Sequence, residues 1–148
     1  MFKSPLWIAL AVVILFGLIQ VVPYGRDHAN PPVRVEPAWD SQQTRELAVR
    51  SCYDCHSNET TWPWYSNIAP VSWMLQSDVS RGRAELNFSE WDRPQEEVDE
   101  AAKTVQEGEM PQRYYVMMHP EARLSALDTQ ILVGGLQATL GSALGEGD

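Results

Sequence analysis

Residues Cys52-Tyr53-Asp54-Cys55-His56 place two thiols three positions apart, with an imidazole directly after the second. The chain holds two cysteines and three histidines in 148 residues, so chance produces this arrangement on the order of a few times in ten thousand. Three chemistries use paired thiols of this spacing. A thioredoxin-like redox pair needs a βαβ setting, and no period-two strand alternation flanks the motif. Half of a zinc site needs a second ligand pair, and no further cysteine exists. The third is covalent haem attachment. Each thiol adds across one vinyl group, a single helical turn brings both thiols within reach, and the adjacent histidine falls beneath the iron. The expected cofactor is therefore one haem c, held through Cys52 and Cys55, with His56 as the proximal ligand.

The iron's sixth position has several candidates: Met74, Met110, Met117, Met118 and His119. Methionine is most often a core filler. Met110 is favoured because Glu109-Met110-Pro111 reads as a loop between two helices, where a methionine can be held over the far haem face. Met/His ligation suits electron transfer, whereas His119 would give a lower potential. An open site is the remaining alternative. The aromatic run Trp62-Pro63-Trp64-Tyr65 is a candidate haem wall, because indole and phenol rings cover apolar faces while their polar atoms reach partners. Ordinary packing explains the same residues equally well. Trp73 and Trp91 read as plain core. Arg81 and Arg83 are candidates for neutralising propionates, although a solvated helix end accounts for at least one of them.

These residues need elements to hold them. Asp40 with Gln43 reads as an N-cap and capping-box partner for a helix reaching Cys52. Residues 57–69 read as an ordered loop. Pro70 suits the first turn of a second helix ending near Gly82. A third helix is expected from Asp92-Arg93-Pro94, with Glu96 and Glu97 in its first turn and Gly108 as its stop. Residues 109–123 read as loop with at most a short turn. Ser125 and Asp128 form a second capping box, opening a last helix with Leu127, Ile131, Leu132, Leu136 and Leu140 on its apolar face. Gly134-Gly135 would let this helix cross another closely. The fold class expected is all-α, a cytochrome c-like helical domain around one covalent haem.

Residues 6–22 (LWIALAVVILFGLIQVV) form an uncharged apolar run. About 17 to 20 helical residues just span a bilayer core, so a single N-terminal transmembrane helix is expected. A cleaved signal peptide would want small residues before the cleavage point, and the run ends in bulky ones. Lys3 favours an N-terminus inside and a domain outside, which agrees with haem c attachment on the outer side of a bacterial membrane. The organisation expected is an anchor over 1–23, a Pro-rich linker over 24–39, a haem-binding domain over 40–142 and a disordered tail over 143–148. The lone linker histidine, His28, reads as solvated. All 20 acidic residues follow residue 22, leaving that part of the chain with a net charge of roughly −10. Such a surface repels nucleic acid and attracts a basic partner face, although it also serves plain solubility.

The stretch Cys52-x-x-Cys55-His56-Ser57-Asn58-x-Thr60-x-Trp62-Pro63-Trp64-Tyr65-Ser66-x-Ile68-Ala69-Pro70 resembles the bacterial haem-binding domain family. The later pieces are also similar: Asp78-Val79, Gly82-Arg83, Leu86-Asn87-Phe88-Ser89-Glu90-Trp91, Glu109-Met110-Pro111, and Tyr115 ahead of His119-Pro120. The resemblance covers about residues 40–140. It implies a mono-haem c-type protein, often with one N-terminal membrane helix. It also implies Cys52, Cys55 and His56 as haem-binding positions, and Met110 or His119 as functional ones. The function expected is one-electron transfer rather than enzymatic turnover. The expected site is the periplasmic face of the cytoplasmic (inner) membrane, and the expected partner is a respiratory or photosynthetic membrane complex or another redox protein. A peroxidase-like haem enzyme or a haem-based sensor, either with an open sixth site, is the rival.

Overall fold

Caps and short apolar faces decide where this chain becomes helical. The computed structural model describes residues 5–96, 98 and 100–145, the last four by backbone alone. Among them are seven α-helices: α1 Pro5–Ile19, α2 Gln42–Ser51, α3 Tyr53–His56, α4 Val71–Glu85, α5 Ala101–Gln106, α6 Arg113–Met118 and α7 Ala126–Gly145. Two 3-10 turns, Trp64–Asn67 and Pro120–Ala122, complete the order. Extended pairing among the described residues is limited to an isolated bridge between Val35 and Glu90. The chain divides into two compact units, one from Met1–Ala29 and Trp62–Asp78, the other from Asn30–Thr61 and Val79–Asp148.

In the second unit, α2, α5 and α7 close over Leu47, Ala48, Ala102, Val105, Leu132, Leu136 and Leu140, with Tyr53, Leu86 and Phe88 in the same core. Each leucine so buried contributes roughly 1.5–3 kcal/mol. Phe88 is the hub, with ring centroids of Trp39, Tyr53 and Trp91 at 5.1, 5.7 and 6.3 Å. The cap of α2 is Ser41, one residue past the expected Asp40. Ser41 Oγ accepts from Thr44 N at 3.1 Å, while Asp40 N donates to Thr139 Oγ1 on α7 at 3.0 Å. The Ser125–Asp128 box is reciprocal, with bonds of 3.0 and 3.1 Å. Gly135 lies against Thr44, and a Cβ there would fall inside contact with Thr44 Oγ1, whereas Gly134 has open space.

Two stretches differ from the sequence reading. The third helix is only α5, because the residues after Asp92 are held in a turn. Gln95 Nε2 donates to Glu90 O at 2.8 Å, and Gln95 Oε1 accepts from Asn87 N at 2.8 Å. Glu97 lies outside the described residues. Its stop is as expected, with Gly108 at φ +74°. The loop expected over 109–123 contains α6, which buries none of its residues and so carries no periodic apolar face to read.

In the first unit, the expected transmembrane helix is corrected. No helix of the described residues is long and apolar enough to cross a membrane. α1 has 15 residues, about 22 Å against a core of about 30 Å. It stops at Ile19 because Gln20 is bound sideways: Nε2 donates to Ala69 O at 2.8 Å and Oε1 accepts from Ala69 N at 3.0 Å. Arg26 Nη1 then takes Gln20 O at 2.9 Å. The single-pass inner-membrane placement with a periplasmic domain loses its support with it. Lys3, on which the orientation rested, lies outside the described residues, as do 146–148 of the expected tail. The linker histidine is not solvated: His28 stacks on Trp62 at 4.8 Å and its Nε2 meets Ser66 Oγ at 2.8 Å.

Within the second unit, residues 30–39 of the Pro-rich stretch are bound rather than loose. Arg34 N donates to Ser89 O at 2.8 Å and Trp91 N to Val35 O at 2.8 Å. Glu36 receives Arg45 through two bonds of 2.6 and 2.7 Å, plus Trp39 Nε1 at 3.0 Å.

Two outcomes are expected. Gly135→Ala destabilises by about 1–3 kcal/mol through overpacking, while Gly134→Ala stabilises by about 0.5–1 kcal/mol through helix propensity, both read as urea midpoints. The Arg45 guanidinium holds the Glu36 carboxyl below its ordinary value of 4.5. A carboxyl depressed by folding contributes stability above its unfolded pKa, and that contribution vanishes as pH falls through the folded pKa. Glu36→Gln should therefore cost roughly 0.5–1 kcal/mol near neutral pH and nothing in strong acid, because the pair is part-exposed.

Candidate functional site

α2 ends where the thiols begin. Cys52 N donates to Ala48 O at 2.8 Å, and then Cys55 N and His56 N both donate to Cys52 O, at 3.1 and 2.9 Å. This one-turn α3 carries Cys52, Cys55 and His56 together. Tyr53 pins it from within, 3% exposed in the core beside Phe88. Asp54 pins it from outside: Oδ1 accepts from Thr61 N at 2.8 Å, Oδ2 from the Tyr115 phenol at 2.7 Å, and its carbonyl from Thr60 Oγ1 at 2.7 Å.

The residues after His56 are buried and polar, so each needs a partner. Ser57 Oγ donates to Tyr53 O at 2.8 Å. Asn58 Nδ2 donates to Pro32 O and Glu90 Oε1, and its Oδ1 accepts from Asn87 Nδ2 at 2.9 Å. Arg83, on α4, donates to Ser57 O at 2.7 Å and to Thr60 Oγ1 and Asn30 Oδ1 at 2.9 Å each. The guanidinium read as a candidate propionate partner thus braces this loop. Two residues of α4 and its end shape the turn further. A Cβ on Gly82 would lie 2.5 Å from Cys55 O, so only glycine lets the helix come this close. Leu86 O lies 3.0 Å from His56 Nδ1.

His56 therefore turns Nε2, its other ring nitrogen, away from Leu86. Burial lowers its pKa, keeping the imidazole neutral and able to act as a ligand. Cys52 and Cys55 are free thiols, and burial, with the neighbouring Cys55, pushes Cys52 up to about 12. Both His56 and Cys52 line a cavity of about 320 Å³. Its apolar wall is Leu86, Phe88, Ala101, Val105 and Leu136, and Met110 is part of the same lining, as are Glu85 and Glu100. Met110 is held there by backbone, with Glu109 N and Met110 N both donating to Thr104 O at 2.9 and 3.2 Å.

The other candidates lie elsewhere. His119 is outside the cavity lining; its ring stacks on Tyr115 at 4.5 Å and its Nδ1 lies 3.3 Å from Glu121. Met74, Met117 and Met118 are exposed. Trp62, Trp64 and Tyr65 belong to the first unit and are not among the cavity's lining residues. Trp62 stacks on His28, and Trp64, 77% exposed, meets Tyr65 edge-on at 5.7 Å. The positions missed from sequence are Gly82, Leu86 and the carboxylates of the lining. Gly82 carried a signal, as a glycine inside a helical pattern, whereas a carbonyl ligand-holder carries none.

A neutral imidazole and one thiol lining a largely apolar cavity with a thioether in its wall, and a second thiol on the same turn, match the donor set of a haem protein. The chain belongs to the haem-binding domain family, whose model matches residues 14–138. No curated protein and no solved structure matches it.

Gly82→Ala should push α4 off the Cys52–His56 turn, because the obstructing atom is backbone. Haem stoichiometry per chain, read by pyridine haemochrome absorbance against protein concentration, should fall well below that of the wild type. A neighbouring Arg81→Ala should retain full loading.

Proposed function

We propose that this protein is a one-electron carrier with a single covalent haem c, linked through Cys52 and Cys55 and ligated by His56 and Met110. The observation that carries the reading is that His56, Cys52 and Met110 share one cavity wall. Once bound, haem supplies reversible one-electron exchange at its iron.

The chain's own groups fit that role. Thioether links from Cys52 and Cys55 fix the cofactor on the turn that also presents His56. Leu86 O takes the proton on His56 Nδ1, which fixes the tautomer and leaves Nε2 to the metal. The thioether of Met110 would hold the iron as a second protein ligand, and Met/His ligation would supply a high potential. Leu86, Phe88, Val105 and Leu136 supply an apolar surface for the macrocycle, beside the carboxylates of Glu85 and Glu100. A net charge of −9 favours another redox protein with a basic face as partner, by steering encounter.

Haem should stay with the chain through denaturation and acidic acetone, and a Cys52→Ala/Cys55→Ala variant should release it. The reduced wild type should bind carbon monoxide slowly, and Met110→Ala rapidly, with loss of the weak long-wavelength band of methionine–iron ligation. An unchanged spectrum and carbon monoxide rate in Met110→Ala would remove Met110 from the iron. Rapid carbon monoxide binding by the wild type would overturn the carrier reading.

A further inference from the structure

The Met110 segment has an unusual support. Upstream it rests on one carbonyl, Thr104 O, which accepts from both Glu109 N and Met110 N. Downstream it runs into α6, which buries no residue; Tyr114, Met117 and Met118 are exposed on it. Tyr115 and Val116 are half-buried, so α6 has no fully buried side chain to anchor it. A side-chain tie is the Tyr115 phenol, which donates to Asp54 Oδ2 at 2.7 Å. Asp54 sits between the two cysteines, and its other oxygen is already taken by Thr61 N at 2.8 Å. The carboxylate is thus fixed before the phenol reaches it. The Tyr115 ring is held in turn: it stacks on His119 at 4.5 Å and 15°, and His119 N donates to Tyr115 O at 2.8 Å.

We infer that Tyr115 is a positioning residue for the sixth iron ligand, acting through its bond to Asp54 to hold the Met110 segment in register with the turn that carries Cys52, Cys55 and His56. The inference rests on the ligand assignment proposed above. Its physical basis is that a hydrogen bond to a charged acceptor is about twice as strong as a neutral one. This bond also joins the segment of one axial ligand to the turn of the other, five residues from Met110. Losing it leaves the two bonds to Thr104 O and the packing of Met110 against the core as its restraints, so the thioether would be held less firmly as a ligand.

The test uses the full haem-loaded protein and compares wild type, Tyr115→Phe, Asp54→Ala and the double variant. Tyr115→Phe should keep its haem and its ring stack. It should bind carbon monoxide in the reduced form about tenfold faster, the factor expected when a charge-assisted bond is lost. Its methionine–iron band should weaken. The double variant should bind no faster than Asp54→Ala alone, because the two groups act as one pair. Unchanged carbon monoxide binding in Tyr115→Phe, with Met110→Ala fast, overturns the inference and leaves the ligand assignment standing. Additive effects in the double variant also overturn it. Amide exchange over residues 109–118 supplies a measure independent of the iron. Exchange that rises in Tyr115→Phe supports the tie whatever ligates the metal, and exchange that does not rise removes it.

Discussion

The close approach of α4 to the Cys52–His56 turn is the constraint on which the site depends. Gly82 allows Cys55 O to sit where any Cβ would stand, and four residues on, Leu86 O meets His56 Nδ1. One helix end thereby sets both the position of the turn and the tautomer of its histidine. Both partners are backbone atoms, so the arrangement is set by helix geometry rather than by side-chain rotamers. The neighbourhood is arranged to suit. Phe88 N donates to His56 O at 2.8 Å, tying the chain after α4 back to the turn, and the Phe88 ring then becomes the hub of the aromatic core.

A turn held this way leaves many polar groups in the interior. Ser57, Asn58, Asn87 and Ser89 are all buried, and desolvating any of them without a partner costs about 1–3 kcal/mol. In the second unit the partners are largely each other: Asn87 Nδ2 to Asn58 Oδ1, Ser89 N to Asn87 Oδ1, and Asn58 N to Ser89 Oγ, at 2.9, 2.9 and 3.0 Å. A mutually satisfied network of this kind specifies one loop conformation, because every alternative strands at least one of its members. Arg83 closes it from the helix side, and burial lowers its pKa, yet its contacts to Ser57 O, Thr60 Oγ1 and Asn30 Oδ1 compensate the charge with three acceptors.

The turn that groups Cys52, Cys55 and His56 was legible because it is local: its residues are defined by spacing alone. The Ser125–Asp128 cap and the Gly108 stop were legible for the same reason. What escaped was decided at long range. α1 ends where Gln20 finds Ala69, 49 residues away, and the cap of α2 shifts to Ser41 because Asp40 is engaged by Thr139, 99 residues away. α6 escaped because a six-residue helix with no buried face has no periodicity. Trp62, Trp64 and Tyr65 read equally as a haem wall or as ordinary packing, because ring chemistry beside the motif suits both. In the structure the chain has entered a different compact unit by Trp62.

The two sides of the cavity are built to different standards, and this bears on how the proposed carrier would behave. His56 lies on a turn fixed by backbone bonds, by the buried Tyr53 ring and by the asparagine–serine network, so moving it requires breaking many contacts at once. Met110 lies between α5, six residues long, and α6, which buries nothing. Local opening follows the number of buried contacts and bonds that must be given up together. The Met110 side, held by its packing against the core and by the bonds to Thr104 O, thus gives up fewer contacts on opening than the Cys52–His56 turn. Under the ligand assignment proposed above, the haem iron would have one firmly held side and one more easily released, and the cofactor would stay with the chain while its sixth ligand exchanged.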